Sequence, residues 1–334
     1  MRGPLHRTHR LTDATHDDAD TMLHAPPLHR VDSPPPRIHL LKPAADAPAN
    51  PLDQLFDVRL LSRRRVLILD YDGTLAPLRA VPAGEARGER PESRFATAPY
   101  AGTRELLARI RSHPAARVVF VSGRPAREMA DMLALSPRPE IFGVHGWEHL
   151  TRSGQLVRAI VPAQARAQLD ALRALQVRLE TAGAIFEDKH AAIAVHWRGR
   201  NAEQVRAIRA LLAPFETPPD APARLDGVFA QPFDGGLEVR PHGPSKASVV
   251  RSVLREESRD AVVAYFGDDL SDEEAFRALA GRGIGVRVLP AGAPRDAARR
   301  PTSAQLTLRA PDELHAFLGR WTEQPGMPAA PVTS

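Results

Sequence analysis

Short runs rich in β-branched residues alternate along most of the chain with stretches of alanine, leucine and arginine that have the period of a helix. This alternation predicts parallel strands joined by helices, with helices on both faces of one sheet. We therefore predict an α/β protein with a parallel sheet. Its strands are expected at residues 65–70, 117–121, 141–144, 261–266, 283–288 and 306–308, and its helices at 103–112, 126–135, 246–256, 272–280 and 312–321.

The rhythm changes between residues 149 and 240, where strands follow one another through short turns. This pattern predicts an α+β module, residues 149–240, inserted into a core formed by 53–148 and 241–322. Within the insert we expect a hairpin at 149–160, helices at 163–182 and 202–213, and strands at 185–187, 192–196, 228–231 and 237–239.

Both ends of the chain lack a pattern that predicts a core. Residues 1–52 contain six of the 13 histidines and three consecutive prolines, but no sustained apolar period, so we predict a disordered extension. Residues 323–334 are rich in proline and are predicted to form a flexible tail.

The composition excludes several classes of protein. The chain of 334 residues has no cysteine, which excludes disulfide scaffolds, thiolate zinc sites, iron–sulfur clusters and cysteine nucleophiles. No apolar run approaches the roughly 20 residues that cross a bilayer, so we expect a cytoplasmic protein without a membrane partner. The net charge is +5, but most arginines are scattered singly, with one compact cluster at Arg63, Arg64 and Arg65. Only 5% of residues are aromatic, and none are interleaved with basic runs, which disfavours nucleic-acid binding.

The strongest chemical signal is the sequence Asp70-Tyr71-Asp72-Gly73-Thr74 at the carboxyl end of the first predicted strand. Open α/β sheets place their active sites at this edge. Two carboxylates two residues apart can face one crevice, where one attacks phosphorus and the other transfers a proton. An ordinary Asp-Gly turn is the structural alternative.

Two later strands also end in polar residues at this edge. The sequence Ser122-Gly123-Arg124-Pro125 follows the second strand, and its hydroxyl and backbone amides can hold phosphoryl oxygens. Asp268 and Asp269 follow the strand at 261–266 within a strongly acidic segment. Carboxylates crowded together need a cation, and hard oxygen ligands suit Mg²⁺. Asp272 is explained as an acid in the first turn of a helix.

Lys246 is one of only three lysines and lies at the predicted start of the helix at 246–256. Its ammonium group at this place can pair with both a carboxylate nucleophile and a phosphate. A lone lysine there would ordinarily be solvated, so the argument depends on the order of the motifs.

That order, DxDGT, then a strand ending in serine, then lysine, then GDD, resembles the haloacid-dehalogenase (HAD) superfamily of Mg²⁺-dependent aspartyl phosphatases. From about residue 57 to 320 the chain is similar to the trehalose-6-phosphate phosphatases within it. The matching motifs are DYDGTLAP at 70–77, VSGRP at 121–125, HGWE at 145–148, FEDK at 186–189, VHWR at 195–198, LEVRP at 237–241 and GDDLSDEEAF at 267–276. The resemblance implies a HAD-like Rossmannoid core, with the insert as an α+β cap over the sugar.

The resemblance also implies a role for each matched position. The expected catalytic residues are Asp70 as the phosphorylated nucleophile, Asp72 as the general acid/base, and Ser122 and Lys246 as phosphate ligands. The expected metal residues around Mg²⁺ are Asp70, Asp72, Asp268 and, less directly, Asp269. The candidate sugar ligands are Arg124, His145, Glu148, Glu187, Lys189 and Glu238. Ala247 and Ser271 replace the family's usual glycine and threonine, and neither change removes a catalytic group.

These implications describe a monomeric enzyme that hydrolyses the small molecule trehalose 6-phosphate to trehalose and phosphate. The alternatives are a capped phosphatase for another sugar phosphate, such as sucrose phosphate, and a catalytically silent sugar-phosphate sensor. A sensor would not need both a nucleophile at Asp70 and an acid at Asp72. For Glu187, Lys189 and His196, an exposed strand face or a satisfied core position remains the structural alternative.

Overall fold

The computed structural model describes residues 64–78, 97–216, 227–233 and 235–322. The predicted extension at 1–52 and tail at 323–334 lie outside these residues. In chain order the strands and helices are β1 (Arg65–Leu69), α1 (Thr103–Ser112), β2 (Ala116–Val121), α2 (Ala126–Leu133), β3 (Glu140–Gly143), β4 (Glu148–Leu150), β5 (Leu156–Arg158), α3 (Ala163–Arg173), α4 (Gln176–Thr181), β6 (Ile185–Lys189), β7 (Ala192–His196), α5 (Ala202–Leu212), β8 (Val228–Phe233), β9 (Gly236–Pro241), α6 (Lys246–Glu256), β10 (Val262–Gly267), α7 (Leu270–Leu279), β11 (Ile284–Leu289), β12 (Leu306–Arg309) and α8 (Asp312–Trp321).

The described residues form two sheets. The larger has the strand order β12-β11-β10-β1-β2-β3-β4-β5, and its strands from β12 to β3 are parallel. Strand β1 lies in the middle, with Leu69 beside Phe266 of β10 and Phe120 of β2. Because these strands are in step, their carboxyl ends meet at one edge. This edge carries Asp70, Ser122 and Asp268.

Strand β1 carries apolar side chains on both of its faces, because helices cover the sheet on both sides. Leu67 and Leu69 pack into one buried cluster with side chains of α1, α2 and α8. Val66 and Ile68 pack into a second cluster with side chains of α6 and α7. The predicted α/β class is confirmed by this layered arrangement.

The hairpin formed by β4 and β5 lies in a different place from the one predicted. It was expected within the insert, but β4 pairs antiparallel with β3 and extends the large sheet. The ring of His149 stacks on Phe142 at 4.0 Å, and His149 and Arg152 both contact the carboxylate of Glu140. The alternating pattern of the hairpin is the same for either sheet, so it does not by itself reveal which strand the hairpin joins.

The smaller sheet is antiparallel, with the order β6-β7-β9-β8. One of its faces packs on α3, α4 and α5 through a separate buried cluster that includes Leu169, Ile193 and Ile208. The single helix predicted at 163–182 is two helices, because the N–H of Leu175 bonds to the carbonyl of Leu172 and tightens the turn between them. Among the described residues, no helix is long and apolar enough to cross a membrane.

Candidate active site

The turn after β1 brings the first carboxylate pair to the edge of the sheet. Asp70 is buried, and its N–H donates to the carbonyl of Phe266 at 2.9 Å. Gly73 then adopts a φ of +76°, and a Cβ at this position would overlap the carboxylate of Asp268. Glycine is therefore required both for the left-handed turn and for the close approach of the two loops.

Three carboxylates, those of Asp70, Asp268 and Asp272, offer oxygens within 4.8 Å of one another. Asp272 is fully buried, and its oxygens accept hydrogen bonds from Lys246 Nζ, the Tyr265 hydroxyl and the N–H groups of Asp268 and Asp269. A carboxylate has about four acceptor positions, so all those of Asp272 are in use. The oxygens that remain for a cation therefore belong to Asp70 and Asp268, a hard donor pair that fits Mg²⁺.

The sequence interpretation missed the importance of Asp272. Its position in the first turn of α7 suggested only a local role, whereas its partners come from α6 and β10. Asp269 caps α7 by accepting the N–H of Ser271 at 2.7 Å, and its side chain lies outside the group of three. The carboxylate of Asp72 likewise lies outside this group.

Lys246 places a positive charge among these carboxylates. Its Nζ lies 2.8 Å from Oδ1 of Asp272 and 3.2 Å from Oδ2 of Asp70. Burial opposes this charge, but the two carboxylates outweigh burial and raise the pKa of Lys246. Serine at position 245 starts α6 with a reciprocal capping box to Ser248, which fixes the backbone from which the lysine extends.

Burial also changes the protonation of the carboxylates. It raises the pKa of Asp70 to about 8, with Lys246 opposing the shift and Asp272 and Asp72 adding to it. Burial, followed by the charges of Asp70 and Asp272, raises the pKa of Asp268 well above its usual range. One ammonium group does not balance three carboxylates, so the site favours a cation.

Asp72 forms a bidentate ion pair with Arg124, with both N–O distances at 2.7 Å. Arg124 also contacts Glu128 at 2.8 Å. A third of the Asp72 side chain is exposed, so it faces the open crevice rather than the buried carboxylates. Ser122 is buried beside this pair, and its Oγ accepts the N–H of Arg124 at 3.1 Å.

Opposite this edge, one face of the small sheet carries a second polar cluster. Glu187 and Glu238 are aligned across the sheet through Ala194, and Lys189 follows two residues after Glu187 on the same face. Lys189 Nζ lies 3.1 Å from Glu238 and 3.4 Å from Glu187. Burial favours the neutral carboxylic acids, but the charge of Lys189 outweighs it and lowers the pKa of both glutamates.

His145 connects this cluster with the large sheet. Its ring Nε2 lies 2.8 Å from Oε2 of Glu238, and its backbone N–H donates to the carbonyl of Ser122. Val144 and His145 both have positive φ values, 47° and 56°, a conformation that costs non-glycine residues about 1–3 kcal/mol each. The ring packs so closely over Gly123 that a Cβ there would lie 2.8 Å from Nε2.

The two polar clusters line one cavity of about 590 Å³. The predicted site residues that line it are Asp70, Asp72, Ser122, Arg124, His145, Glu187, Lys189, Glu238, Lys246, Asp268 and Asp269. Glu148 does not line it, because its buried carboxylate accepts the N–H of Ala126 at 2.8 Å and contacts Arg158 at 2.9 Å. Glu148 thus connects β4 to the start of α2.

His196, Arg198 and Phe233 also line the cavity, and the sequence interpretation did not include them as site residues. His196 Nε2 lies 3.0 Å from Oε2 of Glu187, and its ring meets that of Phe233 edge to face. The sequence did contain a signal for His196. It lies two residues after Ala194 on β7 and therefore on the same face, and β7 pairs with β6.

A parallel sheet whose central strand is followed by a pair of aspartates, with a serine after the next strand and a buried lysine among carboxylates at the same edge, is a HAD-like α/β fold. The chain matches the family model described as trehalose-phosphatase over residues 68–312, and it belongs to that family.

Known relatives agree with this assignment. The chain is 27% identical over 278 residues to trehalose-phosphate phosphatase B of Arabidopsis thaliana, an alignment that covers 77% of this chain and 66% of the relative. It is 26% identical over 274 residues to a trehalose-phosphate phosphatase of Mycobacterium marinum, covering 78% and 62%. The chain thus spans slightly less than two thirds of the length of these relatives.

Solved structures share the fold. The C-terminal domain of the C. albicans trehalose-6-phosphate phosphatase superposes with a TM-score of 0.62 at 19% identity, covering 82% of this chain and 97% of that one. A haloacid dehalogenase-like hydrolase from Bacteroides thetaiotaomicron superposes with a TM-score of 0.50 at 16% identity, covering 77% and 99%.

Proposed function

We propose that the protein hydrolyses trehalose 6-phosphate to trehalose and phosphate through a phosphorylated Asp70, with Mg²⁺ as cofactor. The observation that carries the proposal is the buried carboxylate of Asp70, which shares Lys246 with Asp272 and opens onto the cavity. A carboxylate held beside a positive charge is oriented for attack on phosphorus.

In the first half of the reaction, an oxygen of Asp70 bonds to phosphorus and the bond from phosphorus to the sugar oxygen breaks. Asp72 gives its proton to the departing oxygen, so trehalose leaves as an alcohol. In the second half, Asp72 takes a proton from water, the water oxygen bonds to phosphorus, and the acyl phosphate bond breaks. Phosphate leaves and Asp70 is restored.

The remaining groups bind and orient the phosphate. Lys246 and the Ser122 hydroxyl lie where they can contact its non-bridging oxygens. Asp70 and Asp268 would hold Mg²⁺, which when bound supplies the positive charge that offsets repulsion between the nucleophile and the phosphate dianion. In this structure both carboxylate oxygens of Asp72 are held by Arg124, so Asp72 must leave this partner before it donates a proton to the departing oxygen.

Substrate choice is assigned in this proposal to the small sheet and its helices, which lie within the cap predicted at 149–240 but do not include the hairpin of β4 and β5. Its polar face offers charged groups at Glu187, Lys189 and Glu238 to sugar hydroxyls, and His145 reaches the same cluster from the core side. The motifs around Asp70 contact only the phosphate and therefore do not distinguish one sugar from another. Another sugar phosphate is the alternative substrate.

The variant Asp70→Asn tests the mechanism. It removes the charge of the nucleophile but keeps its shape, so phosphate release from trehalose 6-phosphate should fall by at least about 10³-fold, or about 4 kcal/mol. Asp188→Asn, an exposed position paired with Arg173 on the outer side of the small sheet, should keep its activity. An Asp70→Asn enzyme with more than a tenth of the wild-type rate would refute the aspartyl-phosphate mechanism.

A further inference from the structure

Tyr265 lies on β10 three residues before Asp268, and its side chain is fully buried. Its ring packs edge to face on Phe276, with centroids 5.6 Å apart. Burial, reinforced by the charges of Asp272 and Asp70, raises the pKa of the Tyr265 phenol well above its ordinary value. The hydroxyl therefore keeps its proton and acts as a hydrogen-bond donor.

The Tyr265 hydroxyl donates a hydrogen bond to Oδ1 of Asp272 at 2.6 Å. The same oxygen accepts from Lys246 Nζ at 2.8 Å, while Oδ2 accepts the N–H groups of Asp268 and Asp269. Asp272 is thereby held from three directions: the strand, the loop and helix α6. Tyr265 is the member of this set that contributes a neutral side-chain donor.

The position of Lys246 depends on this arrangement, because Asp272 and Asp70 compete for one ammonium group. Lys246 is closer to Asp272, at 2.8 Å, than to Asp70, at 3.2 Å. Without the Tyr265 hydroxyl, Oδ1 would lose one of its two donors inside a dry environment, where an unsatisfied anion is costly. It would then draw Lys246 further from Asp70 and from the phosphate.

We infer that Tyr265 is a positioning residue. Its hydroxyl donates a hydrogen bond to Asp272, so that Lys246 remains shared with Asp70 and available to phosphate. Among the described residues, Tyr265 is not part of the cavity lining, so it acts through Asp272 rather than by contact with substrate. The inference rests on the proposed function only in giving Lys246 the role of phosphate ligand.

The variant Tyr265→Phe tests this inference, since it keeps the ring and removes the hydroxyl. Binding of inorganic phosphate to the Mg²⁺-loaded enzyme, measured by calorimetry, should weaken about 10-fold. The kcat for trehalose 6-phosphate and for p-nitrophenyl phosphate should fall by the same factor, about 10- to 100-fold, because both substrates present the same phosphate. The matched control is Tyr100→Phe, which removes a half-buried hydroxyl that accepts the N–H of Ala291 and does not line the cavity. It should keep phosphate affinity within about twofold.

Coupling to Lys246 provides the second measurement. In a Lys246→Met background, Tyr265→Phe should cause no further loss of phosphate affinity. If Tyr265→Phe does not fold, the double variant Tyr265→Phe/Asp272→Asn, which removes both the hydroxyl and the charge that would draw Lys246 away, should bind phosphate no more weakly than Asp272→Asn alone. Equal losses in the two tyrosine variants, or full additivity with Lys246→Met, would overturn the inference. Because phosphate binding needs no turnover, an enzyme that binds phosphate but hydrolyses no phosphomonoester would contradict the proposed function while leaving this test decisive.

Discussion

Replacing Lys189 with alanine should separate recognition of the sugar from the chemistry at phosphorus. The Lys189 ammonium group lies on the polar face of the small sheet, 3.1 Å from Glu238 and 3.4 Å from Glu187. It is not in contact with Asp70 or Lys246, which belong to the large sheet and helix α6. Lys189→Ala should therefore reduce turnover of a sugar phosphate and leave the hydrolysis of a simple aryl phosphate nearly intact.

The size of the effect follows from the burial of Lys189, whose side chain is 9% exposed. A hydrogen bond from such a charged group to a hydroxyl contributes about 1.5–3 kcal/mol. At about 1.36 kcal/mol for each factor of ten, kcat/KM for trehalose 6-phosphate should fall about 10- to 100-fold relative to that for p-nitrophenyl phosphate. Glu187→Ala should produce a similar gap.

Asp188→Ala is the matched control, because Asp188 lies between these two residues on β6 with its side chain on the opposite face. It is exposed and pairs with Arg173 of α3. Its kcat/KM should stay within about twofold of wild type for both substrates. Melting temperatures of all three variants show whether the cap remains folded. Equal losses on trehalose 6-phosphate and p-nitrophenyl phosphate in the Lys189 and Glu187 variants would refute this account of the cap.

Two further outcomes test the metal and the stability of the sheet. Chelation with EDTA should abolish phosphate release, and added Mg²⁺ should restore it. Asp268→Ala should raise the Mg²⁺ concentration for half-maximal activity at least about 10-fold. Full activity in EDTA would remove the metal from the mechanism. Burial of Glu140 favours its neutral form, but His149, Arg117 and Arg152 outweigh burial and lower its pKa well below the usual range. Its ionisation therefore stabilises the fold above the unfolded pKa of about 4.3, and this contribution is lost as the pH falls toward the folded value. In denaturant titrations Glu140→Gln should lower the free energy of unfolding by about 3 kcal/mol at pH 7, and the difference from wild type should shrink by about 2 kcal/mol at pH 3. A difference independent of pH would contradict the assignment.

The sequence predicted those features that depend on local pattern and on the order of motifs. The apolar run at 65–69, the acidic turn behind it and the later positions of Ser122 and Lys246 were enough for the parallel core and for the residues around Asp70. They worked because parallel strands bring their carboxyl ends to one edge whatever connects them.

Features that depend on partners distant in sequence were not predicted. Asp272 reads as a helix-capping acid until Lys246, 26 residues earlier, is brought against it by the packing of α6. Glu148 matched a motif, but the N–H of Ala126 at the start of α2 and the side chain of Arg158 hold its carboxylate away from the cavity. The hairpin after β3 was misplaced for a different reason: its partner strand is near in sequence, but its alternating pattern is the same whichever sheet it joins.

The most direct test of the proposed function is phosphate release by the wild-type enzyme with Mg²⁺ from trehalose 6-phosphate, sucrose 6-phosphate and glucose 6-phosphate under the same conditions. A cap with several charged groups directed at a disaccharide should give trehalose 6-phosphate a kcat/KM at least about 10-fold above the other two. A preference for sucrose 6-phosphate or glucose 6-phosphate would overturn the substrate while leaving a phosphatase. An enzyme that releases phosphate from none of the three would contradict the central claim.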